Sequence, residues 1–228
     1  MAVVFDAQSS ADTTGAAAVS FSNSTNLTIG TGTNRALIVL IAWSSTAPTG
    51  ISITWDGVAL SAVSGASSVN GTAGNTKIYG LVNPNSGTKT LAGSWTGSRD
   101  FYVAGIAYTG VEQSSEANAF TSGNFANGGS ASASIGMDPA FGDTALGNAN
   151  VAIMGAAANF SSVTEGIQVF LDNTQTAKGC GARIAGSNSI IHLTASLTSA
   201  NWTVSACQIV QAVISAVSSD CVTLMGIG

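Results

Sequence analysis

Short runs of alternating apolar and polar residues, broken by Gly, Asn, Asp and Ser, recur along nearly the whole chain. The runs predict strands over residues 17–21, 26–29, 51–55, 76–82, 88–95 and 101–108. A second set is predicted over residues 131–135, 149–157, 164–171, 179–185, 189–197 and 202–216. β-Branched residues dominate them and turn signals return every ~8–12 residues, the rhythm of a sandwich or barrel. Asp56-Gly57 marks a two-residue hairpin. Thr96-Gly97-Ser98 reads as a turn, and Thr121 to Ser130 as a loose Gly/Asn/Ser loop. No window sustains a helical period for three turns.

One run stands out. Ala36-Leu37-Ile38-Val39-Leu40-Ile41-Ala42-Trp43 is apolar throughout, so both faces of that strand must be covered. A facing sheet plus a loop, or a neighbouring subunit, would serve. There is also an internal echo. Leu91-Ala92-Gly93-Ser94-Trp95-Thr96 parallels Leu193-Thr194-Ala195-Ser196-Leu197-Thr198, and each is followed by a strand opening on an aromatic, Phe101 or Trp202. Two hairpins at matching places in two halves suggest an all-β fold: a two-sheet antiparallel β-sandwich, jelly-roll-like. The expected organisation is one domain over residues 1–216 and an apolar C-terminal tail over 217–228.

Composition changes this picture in one respect. Charged residues are 7% of the chain, far below the ~25% of an average soluble domain. Ser, Thr, Asn and Gly replace them. Such a surface is polar yet inexpensive to desolvate, because no ion has to leave water. Six scattered basic residues and a net charge of −5 argue against nucleic acid as a partner. The longest apolar run is too short to span a membrane as a helix, and the start Met1-Ala2-Val3-Val4-Phe5-Asp6 is no secretory signal. If Met1 begins the protein, synthesis in the cytoplasm without signal-peptide export is expected.

Candidate chemistry is sparse. His192 is the sole histidine and has no nucleophile elbow near it. Cys180, Cys207 and Cys221 lack metal-ligand spacing; they read as small buried hydrophobes, with a Cys180–Cys207 bridge or an intermolecular bridge through Cys221 as alternatives. Most carboxylates fall in turns, where Asp bonds its own backbone. Asp138 and Asp143 flank a loop able to hold Ca²⁺, although no D-x-D-x-D-G pattern exists. Trp43, Trp55, Trp95 and Trp202 read as core residues, the alternative being a stacking platform for sugar rings. Phosphate-cradling glycine motifs are missing. No catalytic, cofactor or metal residue is assigned, and no enzyme activity is expected.

The ordered set Asn34-Arg35-Ala36-Leu37-Ile38-Val39, Trp55-Asp56-Gly57-Val58-Ala59-Leu60, Tyr79-Gly80-Leu81-Val82-Asn83-Pro84, Ser86-Gly87-Thr88-Lys89-Thr90 and Tyr108-Thr109-Gly110-Val111 resembles a widespread, poorly characterised β-sandwich domain of bacterial surface proteins and phage particle proteins. The resemblance is good over residues 17–111 and looser over 131–216. It implies a structural Arg35 tying a strand start to a turn, and no catalytic residues. The expected function is a non-enzymatic virion subunit (capsid decoration, head fibre or tail-associated) that self-associates as a dimer or trimer and docks on other virion proteins. The alternative is a carbohydrate-binding or adhesive module at a bacterial surface, with glycans as partners. Val222, Leu224, Met225 and Ile227 in the tail are the expected docking residues, since burial would stabilise each contact by roughly 1.5–3 kcal/mol.

Overall fold

The computed structural model describes residues 2–9, 12–23, 27–44, 48–137, 147–173, 178–185 and 191–213. The first half forms strands β1 (Val4–Gln8), β2 (Asp12–Asn23), β3 (Thr28–Ile29), β4 (Ala36–Trp43), β5 (Thr49–Trp55), β6 (Val58–Ala59), β7 (Ser61–Asn70), β8 (Gly74–Val82), β9 (Gly87–Thr88) and β10 (Leu91–Thr109). The second half forms β11 (Phe120–Met137), β12 (Ala149–Ala156), β13 (Phe160–Glu165), β14 (Ile167–Asp172), β15 (Lys178–Ala185) and β16 (Ile191–Ile209). Helix among the described residues amounts to α1 (Glu116–Ala119) and one 3-10 turn, Gly71–Ala73. The protein is all-β, and the ladders among its described residues are antiparallel.

Two large sheets follow one another along the chain. The first runs β6-β5-β10-β4-β8-β7, with β1 and β2 also on β10; the second runs β11-β16-β12-β15-β14, with β13 also on β16. A jelly roll alternates strands between its sheets. Here each large sheet takes its described strands from one half of the chain.

The pairings reveal why the echo exists: the two halves repeat one plan. In the first, Ala36–Trp43 lies between Tyr108–Phe101 and Val82–Asn75, eight residues in register on each side. In the second, Ala149–Ala156 lies between Ile209–Trp202 and Ala185–Lys178, again over eight. Phe101 and Trp202 therefore occupy one ladder position, opposite Trp43 and Ala156. Further pairings correspond as well: β10 with β2 and β5 matches β16 with β11 and β13, and β7 with β8 matches β14 with β15. Even the irregularities recur, for β7 breaks register after Ala62 and β14 after Gln168.

The halves stack through equivalent faces. Ile38, Leu40, Ile78, Tyr102 and Ile106 of the first meet Val151, Ile153, Phe170, Cys207 and Ile209 of the second in a shared core. The extensions of β10 and β16 meet antiparallel at Val111 and Gln211, and the Ala212 N–H donates to the Gly110 carbonyl. This is the geometry of an isologous dimer contact inside one chain. It also resolves the strand β4. Its even residues face that shared core, while Leu37, Val39, Ile41 and Trp43 face a second core enclosed by the curl of the first sheet, with Phe21, Ile53, Trp55, Leu91, Trp95 and Phe101. Both faces are thus covered within the chain, and β4 gives no reason to invoke a neighbour.

Three sequence expectations need correction. Thr96-Gly97-Ser98 is not a hairpin turn; Gly97, at φ 92°, sits in an irregularity of the continuous strand β10. The separate strands expected over residues 189–197 and 202–216 are, in their described part, one strand, because β16 is continuous from Ile191 to Ile209. Thr121 to Ser130 is not a loop but part of β11, paired with β16. Its glycines permit close approach: no Cβ fits on Gly123 beside Ser64 of β7, and Gly128 lies beneath the Trp202 ring. Strand β7 was not anticipated at all.

Candidate functional site

Arg35 performs the expected structural task. Its Nε donates to the Pro84 carbonyl at 3.0 Å, Nη1 to the Gly32 carbonyl at 3.0 Å, and Nη2 to Asn83 Oδ1 at 3.2 Å. These bonds fasten the entry of β4 to the turn after β8, where Asn83 holds φ at 48°.

Three carboxylates, Asp6, Asp56 and Glu112, are engaged in similar work. Asp56 stands in the β5–β6 turn at φ 51°; its Oδ2 accepts from Asn85 Nδ2 at 2.9 Å and lies 3.4 Å from Lys89 Nζ. The Asn85 hydrogen bond, with help from Lys89, holds this carboxyl below its usual range. Glu112 accepts from the Ser114 and Gln113 backbone N–H groups, which lower its pKa in the same way. Asp6 accepts from the Gly30 N–H at 2.8 Å. Among the described residues no group of three His, Cys, Asp or Glu side chains converges as a metal site. Asp138 and Asp143 lie outside the described residues. So do Cys221 and the four docking candidates Val222, Leu224, Met225 and Ile227.

Cys180 and Cys207 are free and fully buried. They belong to different cores, Cys207 to the one between the sheets and Cys180 to the one on the far face of the second sheet. A bridge between them would have to cross the sheet. His192 lies in β16 opposite Gly136. Of the tryptophans, Trp43, Trp55 and Trp95 are core residues; Trp55 and Trp95 donate their indole N–H to the carbonyls of Asn85 and Ala18. Trp202 is half-buried and donates to Ser130 Oγ. Phe125 is exposed, but it pairs with Ser205 while Trp202 pairs with Gly128. Three positions apart on a pleated strand, the two rings stand on opposite faces and build no common platform.

Two concavities among the described residues bear on binding. A cleft of about 510 Å³ lies between β7, α1 and the start of β11, lined by Ser61, Val63, Ser64, Ser115, Glu116 and Phe120 among others. A smaller cavity of about 70 Å³ lies where the halves meet, lined by Val3, Phe5, Tyr108, Ala149, Arg183 and Ile184 with Ala185. Neither was foreseen. The one available signal was Arg183 itself, a cation in the otherwise small and apolar run Gly179-Cys180-Gly181-Ala182-Arg183-Ile184-Ala185.

No family model matches the chain, and no curated protein matches it. Among solved structures, one described as the crystal structure of PBSX exported protein XepA aligns over 87% of this chain and 86% of its own, at 12% identity and a TM-score of 0.23. A likeness at that level carries no inference about fold or function.

Proposed function

We propose that this chain is a non-enzymatic structural subunit of a virus particle, a phage capsid decoration, head-fibre or tail-associated protein that works by self-association and docking. In this reading the two stacked sheets are one sandwich-like body, and the protein resides in the virion. The observation that carries the reading is the exterior. Charge is scarce, Asp6, Asp56 and Glu112 are bonded within the fold, and exposed strand positions are largely Ser, Thr, Gly and Ala. Val19, Val58, Val69 and Ile167 stand among them, each about half exposed. Such a surface sheds water at little cost and suits fixed contacts repeated many times. Val222, Leu224, Met225 and Ile227 are the proposed docking residues, and a dimer or trimer is the proposed unit.

Deleting residues 220–228 tests the proposal. The truncated protein should lose binding to its parent particle, and the full-length protein should sediment as a closed oligomer. A full-length monomer whose truncation binds as before would sink the reading. The cleft beside Glu116 favours one second reading, a glycan-binding module at a bacterial surface, because hydroxyls, a carboxylate and an aromatic floor are what a sugar requires. Saturable glycan binding lost in Glu116→Gln would support it.

A further inference from the structure

The small cavity at the junction of the halves holds polar groups that the fold does not use. Tyr108 is 2% exposed, and its hydroxyl has no hydrogen-bond partner among the described residues. Arg183 presents a buried Nε that is likewise unsatisfied. Its guanidinium carbon lies over the Phe5 ring, 3.9 Å from the centroid, and Phe5 meets Tyr108 edge-on at 6.3 Å. Among the described residues no carboxylate pairs with Arg183. Leaving two donors unpaired in a buried place costs stability that most interiors avoid.

The repeated plan of the chain supplies an internal control. By ladder position Arg183 corresponds to Gly80, Tyr108 to Ile209, and Phe5 to Phe120. At that second junction Phe120 covers Gly80 so closely that no Cβ would fit. The same crossing is therefore built with glycine, isoleucine and phenylalanine alone. Packing does not call for an arginine and a tyrosine at the first junction.

We propose that this cavity binds a carboxylate group, held by the Arg183 guanidinium and the Tyr108 hydroxyl. A carboxylate is planar and negative and accepts from both donors at once; it also supplies the charge that Arg183 lacks. The cavity has room for such a group but not for a sugar ring or a nucleotide, whose pockets run to ~300 Å³ or more. Phe5, 37% exposed, leaves the site reachable from solvent. Two sources offer this chemistry: a free small carboxylate, or the Asp, Glu or C-terminal carboxylate of a neighbouring chain.

The test uses acetate as the probe, with chloride at equal ionic strength as the control. The sequence has three arginines, Arg35, Arg99 and Arg183, so their Nε–H signals can be assigned by NMR. Acetate should shift the Arg183 signal saturably and leave that of Arg35 in place. Tyr108→Phe removes only the unpartnered hydroxyl; it should fold and should weaken acetate binding at least about tenfold. Arg183→Gln should abolish binding, and if it fails to fold the Tyr108→Phe result decides alone. Acetate that binds without changing sedimentation identifies a free carboxylate; acetate that also dissociates an oligomer identifies a neighbour's. An absence of saturable shift, or an unchanged midpoint in Tyr108→Phe, overturns the proposal.

Discussion

Cys180 and Cys207 show how burial alone sets a side chain's chemistry. Apolar surroundings disfavour the thiolate, and they push the Cys180 thiol up to about 12 and Cys207 upward as well. Tyr79 and Tyr108 are raised for the same reason, Tyr79 to about 12. Each of these groups binds its proton more tightly in the folded protein than in the unfolded chain. The stabilisation is complete below the unfolded values, about 8.5 for Cys, and is lost as pH rises toward the folded ones. The melting temperature should stay level from pH 6 to 8 and fall between pH 9 and 11. Replacing both cysteines with Ala should make that fall shallower, leaving the tyrosine part. An identical slope in the double variant would show that the thiols are not buried as described.

At the scale of elements, the crossing of β7 and β11 carries a second prediction. The two strands approach backbone to backbone, with Gly65 at φ 74° facing Gly123. Nearby, Ser68 Oγ donates to the Ala126 carbonyl. A methyl on Gly123 meets a main-chain carbonyl rather than a movable side chain. Gly123→Ala should therefore destabilise by about 1–3 kcal/mol, read from denaturant melts, whereas Gly57→Ala meets no neighbouring atom and costs only the strain of its φ of 80°. Equal losses at the two positions would contradict the close approach. The same crossing explains what the sequence hid. β4 was legible as a strand because eight apolar residues in a row demand cover on both faces, although what supplies that cover was open. Residues 121–130 read as a loop because Gly, Asn and Ser there serve contact with another strand, a non-local requirement that local pattern cannot express. Thr96-Gly97-Ser98 carries turn chemistry spent on an irregularity within a strand. The repeat was nearly invisible, since equivalent positions hold Trp43 and Ala156, Tyr108 and Ile209, or Gly80 and Arg183. Backbone pairing persists through those pairs while side-chain volume does not. Arg183 and Tyr108 come together only through the stacking of the halves, so their meeting left no local trace.

For the molecule as a whole, the shared core makes the halves mutually dependent. Ile38 and Ile153 are both fully buried in it, one from each half. Ile38→Ala and Ile153→Ala should each cost about 2–5 kcal/mol and should lower a single unfolding transition. Two resolved transitions, each moved by one variant only, would mean that the halves unfold as separate units. The long strand β16 adds a mechanical consequence. It is flanked by β11 along most of its length, and by β12 and then β13 on the other side. Its ladder bonds stand across the strand direction. A pull on the chain beyond Val213 runs along β16 and loads those bonds in shear, together, rather than opening them one at a time. A subunit tethered through that end would bear tension on its strongest axis.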